Sequence, residues 1–147
     1  MFKKDYHFFD LAEKVSKTSD YNKRIKIGAV ITDKSEVISF GSNRSKSHPL
    51  QKILNKKYFS SRFGGLYDID TVHHHFSIHA ELNAILNAGD RDLTGCSIYI
   101  FRRDSNGNIC MCRPCKACMA AIKLCGIKKI YYTTKDGYAE ETIRYDK

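Results

Sequence analysis

Two short motifs contain the residues best suited to metal chemistry. The first is His79-Ala80-Glu81, and the second is Pro114-Cys115-Lys116-Ala117-Cys118. Imidazole and thiolate groups are preferred ligands of zinc, and a site with three protein ligands leaves a coordination position for water. His79, Cys115 and Cys118 make such a three-ligand set. The motifs therefore predict a catalytic zinc site, since a structural site is normally closed by a fourth protein ligand.

Glu81 is the predicted proton carrier of this site. It follows His79 too closely to share its coordination geometry from a helix start, but it can reach a water on the metal. Zinc lowers the pKa of its water from about 16 to about 7, and a nearby carboxylate can move the proton. Either motif alone is common in unrelated structural or redox sites. The two together, in this order and each at a predicted helix start, favour catalysis.

Predicted helices and strands alternate along the chain and place both motifs at helix starts. Phe8, Leu11, Ala12 and Val15 have helical spacing, which predicts a helix over 3–18. The other predicted helices lie at about 50–59, 77–88 and 115–124, and the strands at 27–32, 37–40, 96–101 and 127–133. Asn106-Gly107 predicts a tight turn in a hairpin that ends near Ile109. The order predicts a layered α/β domain with a mixed sheet, while residues 134–147 carry no clear pattern.

Length and cysteine usage indicate the general class of protein. A chain of 147 residues with 42% hydrophobic residues predicts a single domain, 1–147, with an insertion at about 48–76. All six cysteines lie between residues 96 and 125, whereas a secreted disulfide scaffold is usually shorter and spreads its cysteines. No stretch resembles a signal peptide or a membrane span. We therefore expect a cytoplasmic protein with no membrane partner.

Positive charge is concentrated in the first part of the chain. Residues 1–60 hold 13 Lys and Arg against 6 Asp and Glu, which gives +7 of the chain's net charge of +9. The densest segment is 43–57, which has no acid and contains Arg44, Lys46, Lys52, Lys56 and Lys57. Such a segment can attract a polyanion or a small phosphorylated substrate. A solvated lysine-rich surface explains the same charges equally well.

The chain resembles the cytidine deaminase superfamily, and within it the deoxycytidylate (dCMP) deaminase branch. The resemblance is carried by GAVI at 28–31, Gly41-Ser42-Asn43, HAELNAIL at 79–86, RPCKAC at 113–118 and GIKKIYY at 126–132. It implies a three-layer fold with a mixed five-stranded sheet flanked by helices. It also implies Zn²⁺ as the cofactor. The insertion does not match the family pattern, and the tail is more typical of phage-like deaminases.

The resemblance also implies an activity and roles for further residues. The implied reaction is hydrolysis of a cytosine nucleotide, most simply dCMP to dUMP, by attack of zinc-activated hydroxide at C4 of the ring. Asn43 would contact the substrate nucleoside, and the backbone N–H of Ala80 would contact the base carbonyl. We further expect Arg44, Lys46 or His48 to meet a phosphate of a small-molecule nucleotide, and we expect a homo-oligomer.

Two other functions remain open at this point. A polynucleotide deaminase acting on tRNA adenosine or on cytosine in single-stranded DNA would suit the basic segment. Such an enzyme would stack bases on aromatic side chains, for which Tyr58, Phe59, Phe63 and Tyr67 are candidates. A non-catalytic zinc module that binds nucleic acid is the third alternative. Glu81 argues against it, and Asn83 resembles the dCMP branch more than the tRNA enzymes.

The remaining histidines and cysteines have a simpler interpretation. His73, His74, His75, Cys110 and Cys112 could form a second metal site, but their spacing fits no standard pattern. Surface histidines and partly buried thiols are favoured. Cys96 and Cys125 are predicted to be buried residues of a strand and a helix, because free cysteine buries readily.

Overall fold

The computed structural model describes residues 1–21, 25–60 and 77–145, with no side chains described at Phe59 and Ser60. Most of the predicted insertion therefore lies outside the described residues, including Phe63, Tyr67, His73, His74 and His75. Within the described ranges, no helix has the length and apolar character needed to cross a membrane.

Five strands form one mixed sheet with the order β2-β1-β3-β4-β5. The strands are β1 (Lys26–Asp33), β2 (Glu36–Ser42), β3 (Ser97–Arg103), β4 (Lys129–Thr134) and β5 (Gly137–Thr142). β1 is antiparallel to both β2 and β3, β3 is parallel to β4, and β4 is antiparallel to β5. The mixed five-stranded sheet predicted from the resemblance is confirmed.

In the described ranges, helices lie on both faces of the sheet, which gives the predicted three layers. The described helices are α1 (Lys3–Ser16), α2 (Pro49–Asn55), α3 (Ala80–Asn87) and α4 (Lys116–Leu124), and a π-helical turn, Lys56–Ser60, follows α2. Strand side chains alternate between faces. One face packs on α1 through Phe8, Phe9, Ala12, Val30, Tyr99, Phe101 and Tyr131. The other packs on α3 and α4 through Ala29, Ile31, Ala80, Ala84, Ile98, Ile100, Ile122 and Ile130.

α1 lies against β1 and is anchored by a buried polar contact. A Cβ on Gly28 would lie 2.1 Å from the carbonyl oxygen of Ala12, so glycine is required where the helix crosses the strand. The hydroxyl of Tyr99 donates to Oδ1 of Asp5 at 2.5 Å, and both residues are buried. This contact ties the first turn of α1 to the middle of the sheet.

α3 also packs closely against β2. A Cβ on Gly41 would lie 2.6 Å from the backbone nitrogen of Ala84. The side chain of Asn83 donates to the carbonyl of Ser42 at 2.9 Å, and that of Asn87 donates to the carbonyl of Phe40 at 2.8 Å. The edge strand therefore fixes the position of α3, whose first turn carries the HAE motif.

The predicted elements occur, with small shifts at their ends, and the sequence missed one strand. Arg103 and Ile109 form an antiparallel bridge, so the predicted hairpin after β3 is confirmed. β5 lies in the tail that carried no clear pattern. Its residues, Gly-Tyr-Ala-Glu-Glu-Thr, are half-exposed or exposed throughout. Because an edge strand of this kind buries no complete face, it lacks the apolar alternation that identifies strands in sequences.

Candidate metal centre and active site

His79 immediately precedes α3 and is held there by two neighbouring segments. The backbone of Ile78 forms two hydrogen bonds with the chain after β2, one from the N–H of Arg44 at 3.1 Å and one to the carbonyl of Lys46 at 3.2 Å. The N–H of His79 donates to Oε1 of Gln51 on α2 at 3.0 Å. These three hydrogen bonds fix the backbone from which the imidazole extends.

Cys115 and Cys118 occupy the start of α4. Cys115 is the N-cap residue, with extended backbone angles, and Cys118 lies one turn later. Pro114 precedes the cap, where its missing N–H costs no helical hydrogen bond. The positive end of the helix stabilises negative charge at this position. Both cysteines therefore lie where thiolates are favoured.

The three side chains converge as the two motifs predicted. Nδ1 of His79 lies 3.3 Å from Sγ of Cys118 and 3.5 Å from Sγ of Cys115. One ligand atom from each of the three lies within 4.8 Å of the others. Tetrahedral ligands at ordinary Zn–S and Zn–N lengths would lie about 3.6 Å apart. The donor set and its spacing fit a zinc ion.

The two candidate thiol ligands interact with each other, and their pKa values shift in opposite directions. The hydrogen bond from Cys118 lowers the pKa of the Cys115 thiol to about 4, with a further contribution from His79. The contact with Cys115, followed by burial, raises the pKa of Cys118. A bound cation favours deprotonation of both thiols, because thiolates are the ligating form.

Glu81 lies in the first turn of α3, directly beside the three candidate ligands. Its side chain is buried, with 5% of its surface exposed. Burial raises the pKa of the carboxyl group, while the charge of His79 and a hydrogen bond with Cys118 lower it. Glu81 is thus shielded from bulk water and adjacent to the ligands, as expected of a group that moves a proton at the metal.

A pocket of about 330 Å³ opens over this cluster. Its volume lies in the range of small-molecule sites. The wall is formed by residues from two separate parts of the chain, 21–43 and 77–115: Tyr21, Ile25, Ile27, Asn43, Ser77, His79, Glu81, Arg102, Met111, Cys112, Arg113 and Cys115. The pocket therefore combines an apolar side, a carboxylate and two guanidinium groups around the candidate zinc ligands.

Asn43 lies at the pocket wall, just after β2, and is 4% exposed. Its Oδ1 accepts from the N–H of Ile27 at 2.9 Å, and its Nδ2 donates to the carbonyl of Ile25 at 2.9 Å. An amide can make four hydrogen bonds, so these two leave one donor and one lone pair. Asn43 thus shapes the entry to β1 and can still present polar atoms to a ligand.

The three residues expected at a phosphate do not line this pocket. The guanidinium of Arg44 donates to the carbonyl of Thr18 at 3.1 Å and lies 3.6 Å from Asp20. Lys46 is exposed, and Nδ1 of His48 caps α2 by accepting from the N–H of Leu50. Their contact with a phosphate remains a prediction, and so does the contact of the Ala80 N–H with a base.

Two arginines of the pocket were missed by the sequence analysis. Arg102 stands on β3 and Arg113 directly precedes the PCKAC motif. Arg113 forms a two-point ion pair with Glu141 of β5, at 2.6 and 3.0 Å. The alternation of residues along the strand could have identified Arg102, because Ile98 and Ile100 precede it on the inward-facing side. A charged residue that follows buried apolar residues on the same face of a strand indicates a candidate functional residue.

The prediction that Cys96 is buried is confirmed, although Cys96 lies just before β3 and not within it. The prediction that Cys125 is a buried helix residue is wrong: Cys125 is half-buried and is the C-cap residue that follows α4, where it packs against the core without being enclosed by it. Cys112 is buried in the pocket wall, where its Sγ lies 3.3 Å from the carbonyl oxygen of Ile100. Burial raises the pKa of Cys112 to about 12, so it is a neutral thiol. Cys110 is half-buried, and the three histidines lie outside the described residues.

Comparison with known protein families gives a match over most of the chain. The model of the family described as "Cytidine and deoxycytidylate deaminase zinc-binding region" matches residues 2–134. A deoxycytidylate deaminase of Mycobacterium phage D29 is 27% identical over 129 residues, which cover 87% of this chain and 92% of the phage protein.

Solved structures show the same fold. The dCMP deaminase of cyanophage S-TIM5 in complex with dCMP and dUMP gives a TM-score of 0.58 at 19% identity, over 91% of this chain and 84% of that one. The cytidine deaminase of Burkholderia pseudomallei gives a TM-score of 0.59 at 14% identity, over 97% and 93% of the two chains. At these identities the likeness establishes the fold.

Proposed function

Because the chain belongs to the cytidine and deoxycytidylate deaminase family, we propose that it hydrolyses the amino group from cytosine in a free nucleotide, with dCMP as substrate and dUMP as product. The observation that carries this proposal is the meeting of His79, Cys115 and Cys118 with the buried carboxyl of Glu81 at one pocket. Three ligands and a buried carboxylate are the parts that hydrolytic deamination requires.

The residues of the site have two roles: His79, Cys115 and Cys118 would hold the zinc ion, and Glu81 would transfer protons. When bound, zinc lowers the pKa of a coordinated water and supplies a nucleophile at neutral pH. Glu81 would take a proton from the attacking water and deliver it to N3 of the ring as the new C–O bond forms at C4. Glu81 would then carry the proton of the new C4 hydroxyl to the amino group, which leaves as ammonia as the C4–N bond breaks and the C4 carbonyl forms. One water is consumed and one ammonia is released.

The pocket wall supports binding of one nucleoside next to Glu81. Asn43 retains a donor and an acceptor that can reach a sugar hydroxyl or the base. The N–H groups of the first turn of α3, including that of Ala80, have no acceptor within the helix and can donate to the carbonyl at C2. Ile25 and Ile27 offer apolar contact. The named relatives, a phage dCMP deaminase and a dCMP and dUMP complex, support a mononucleotide as the substrate.

A substrate screen tests the proposal. The zinc-loaded protein is incubated with deoxycytidine, dCMP, CMP, dAMP, a cytosine-containing DNA oligomer and a tRNA anticodon stem-loop, and ammonia release is measured. We expect the highest kcat/KM for dCMP. Turnover of the oligomer or the stem-loop with none on any free nucleotide would replace this proposal with a polynucleotide deaminase. No turnover of any substrate by protein with a full zinc complement would contradict deamination itself.

A further inference from the structure

Arg102 is a charged residue at a position where the fold otherwise places apolar side chains. Ile98 and Ile100 precede it on the same face of β3, and both are fully buried under α3 and α4. Arg102 is paired across the sheet with Ile27 of β1. Directly opposed residues of antiparallel strands share a face, so Arg102 and Ile27 point to the same side. Both line the pocket over the candidate zinc ligands.

The guanidinium of Arg102 has an unsatisfied buried donor. Its Nε is inaccessible to solvent and has no hydrogen-bond partner among the described residues. No ion pair to Arg102 is formed within those ranges either, whereas Arg44, Arg103 and Arg113 each pair with a carboxylate. A buried donor without a partner costs free energy comparable to a lost hydrogen bond. An unpaired guanidinium at a pocket wall is therefore suited to bind an anion.

The other groups near Arg102 do not supply that anion. Cys112 is close enough to sense the charge of Arg102, but burial raises the pKa of its thiol to about 12 and keeps it neutral. Glu81 interacts with His79, Cys115, Cys118 and Cys112, and it forms no ion pair with Arg102. Arg113, the other guanidinium of the pocket, is occupied by Glu141. Of the two arginines that line the described pocket, Arg102 is therefore the one that has no carboxylate partner.

The geometry points to Arg102 as the residue that binds the phosphate of the nucleotide substrate, and so as the determinant that separates dCMP from deoxycytidine. This inference rests on the proposed function and is an alternative to the prediction that Arg44, Lys46 or His48 contacts the phosphate. A guanidinium presents a planar fork of donors that matches two phosphate oxygens. Asn43 and Arg102 flank Ile27 across the sheet, since the N–H of Asn43 donates to the Ile27 carbonyl. A sugar contacting Asn43 would therefore place its phosphate beside Arg102.

The test measures binding of dUMP and of deoxyuridine to the zinc-loaded protein by calorimetry, for wild type, Arg102→Gln and Arg102→Lys. The matched control is Arg103→Gln, because Arg103 is the next residue, lies on the opposite side of the strand and pairs with Glu13 at 2.9 Å. We expect Arg102→Gln to weaken dUMP about 10- to 150-fold, as loss of a charge-assisted contact does. Arg102→Lys should recover part of the loss. Deoxyuridine binding and all Arg103→Gln values should stay within about twofold of wild type.

Three outcomes would overturn the assignment of Arg102. These are dUMP affinity in Arg102→Gln within twofold of wild type, an equal loss for dUMP and deoxyuridine, or an equal loss in Arg103→Gln. The thermal midpoint and zinc content of each variant show whether it has folded. A wild-type protein that turns over dCMP while Arg102→Gln binds dUMP normally contradicts only this inference. A wild-type protein that neither binds dUMP nor turns over dCMP contradicts the proposed function as well.

Discussion

Oε1 of Gln51 accepts a hydrogen bond from the backbone N–H of His79 at 3.0 Å. Gln51 is fully buried, and its Nε2 donates to Oδ1 of Asn55 at 2.9 Å within α2. The helix at the start of the segment predicted to be an insertion therefore holds the backbone of a candidate zinc ligand. α2 thus supports the site that the HAE and PCKAC motifs form.

Replacing Gln51 tests this support. Gln51→Leu removes the acceptor and leaves the His79 N–H without its partner, so we expect zinc affinity to fall about tenfold, the lower end for groups that orient a ligand. Lys52→Ala, an exposed neighbour on α2, serves as the control. Competition with a chelator measures both affinities. Equal zinc affinity in Gln51→Leu and wild type would show that His79 needs no such support.

The close approach of β2 and α3 leads to a second prediction. An alanine Cβ at position 41 would lie 2.6 Å from the backbone nitrogen of Ala84, so Gly41→Ala must displace α3. We expect the free energy of unfolding to fall by about 1–3 kcal/mol, the usual cost of overpacking. Phe40→Thr at the exposed neighbouring position should change it by no more than about 0.5 kcal/mol. Urea titrations measure both values, and an unchanged midpoint for Gly41→Ala would contradict the packing described.

The Tyr99 contact predicts how stability depends on alkaline pH. Burial, followed by the hydrogen bond to Asp5, raises the pKa of Tyr99, and burial raises the pKa of Tyr131 to about 12. A free tyrosine ionises near pH 10. Above that pH the unfolded chain loses protons that the folded chain keeps, so the free energy of unfolding falls as pH rises. Each such group contributes up to about 1.4 kcal/mol per pH unit.

Tyr99→Phe isolates this contribution. At neutral pH the variant should lose about 1–3 kcal/mol, because the buried Asp5 loses a hydrogen-bond donor. Its stability should fall less steeply than that of wild type between pH 10 and 11.5. Tyr6→Phe, at an exposed position of α1, is the control and should follow wild type. Parallel slopes for Tyr99→Phe and wild type would show that Tyr99 does not titrate as described.

The sequence identified the local parts of this structure and missed the parts made by distant contacts. The HAE and PCKAC motifs each lie at a helix start, and local spacing predicted both helices. Gln51 and Arg102 reach the site from separate elements. Gln51 contacts His79 across the fold, and the burial of Arg102 depends on the pairing of β3 with β1. No local pattern encodes such pairs.

The prediction that the basic segment 43–57 contacts a phosphate had the same weakness, because it used local sequence alone. The charge density over 43–57 directed attention to Arg44, whose guanidinium is engaged by Thr18 and Asp20 in the folded chain. Charge counted along a sequence does not tell which cations are already paired. Arg102 is identified because it has no carboxylate partner among the described residues of the folded chain, and not because it lies in a region of high charge density.

The central claim is that the cluster of His79, Cys115, Cys118 and Glu81 deaminates a cytosine nucleotide. The most direct measurement is dUMP formed from dCMP by chromatography, with zinc content determined on the same samples of wild type and Glu81→Gln. We expect full zinc in both and a rate about 10²–10⁴-fold lower in Glu81→Gln, because proton transfer is removed and the ligands are kept. Glu140→Gln, at an exposed carboxylate of β5, should match wild type. Loss of zinc in Glu81→Gln, or a rate within tenfold of wild type, would contradict the role of Glu81.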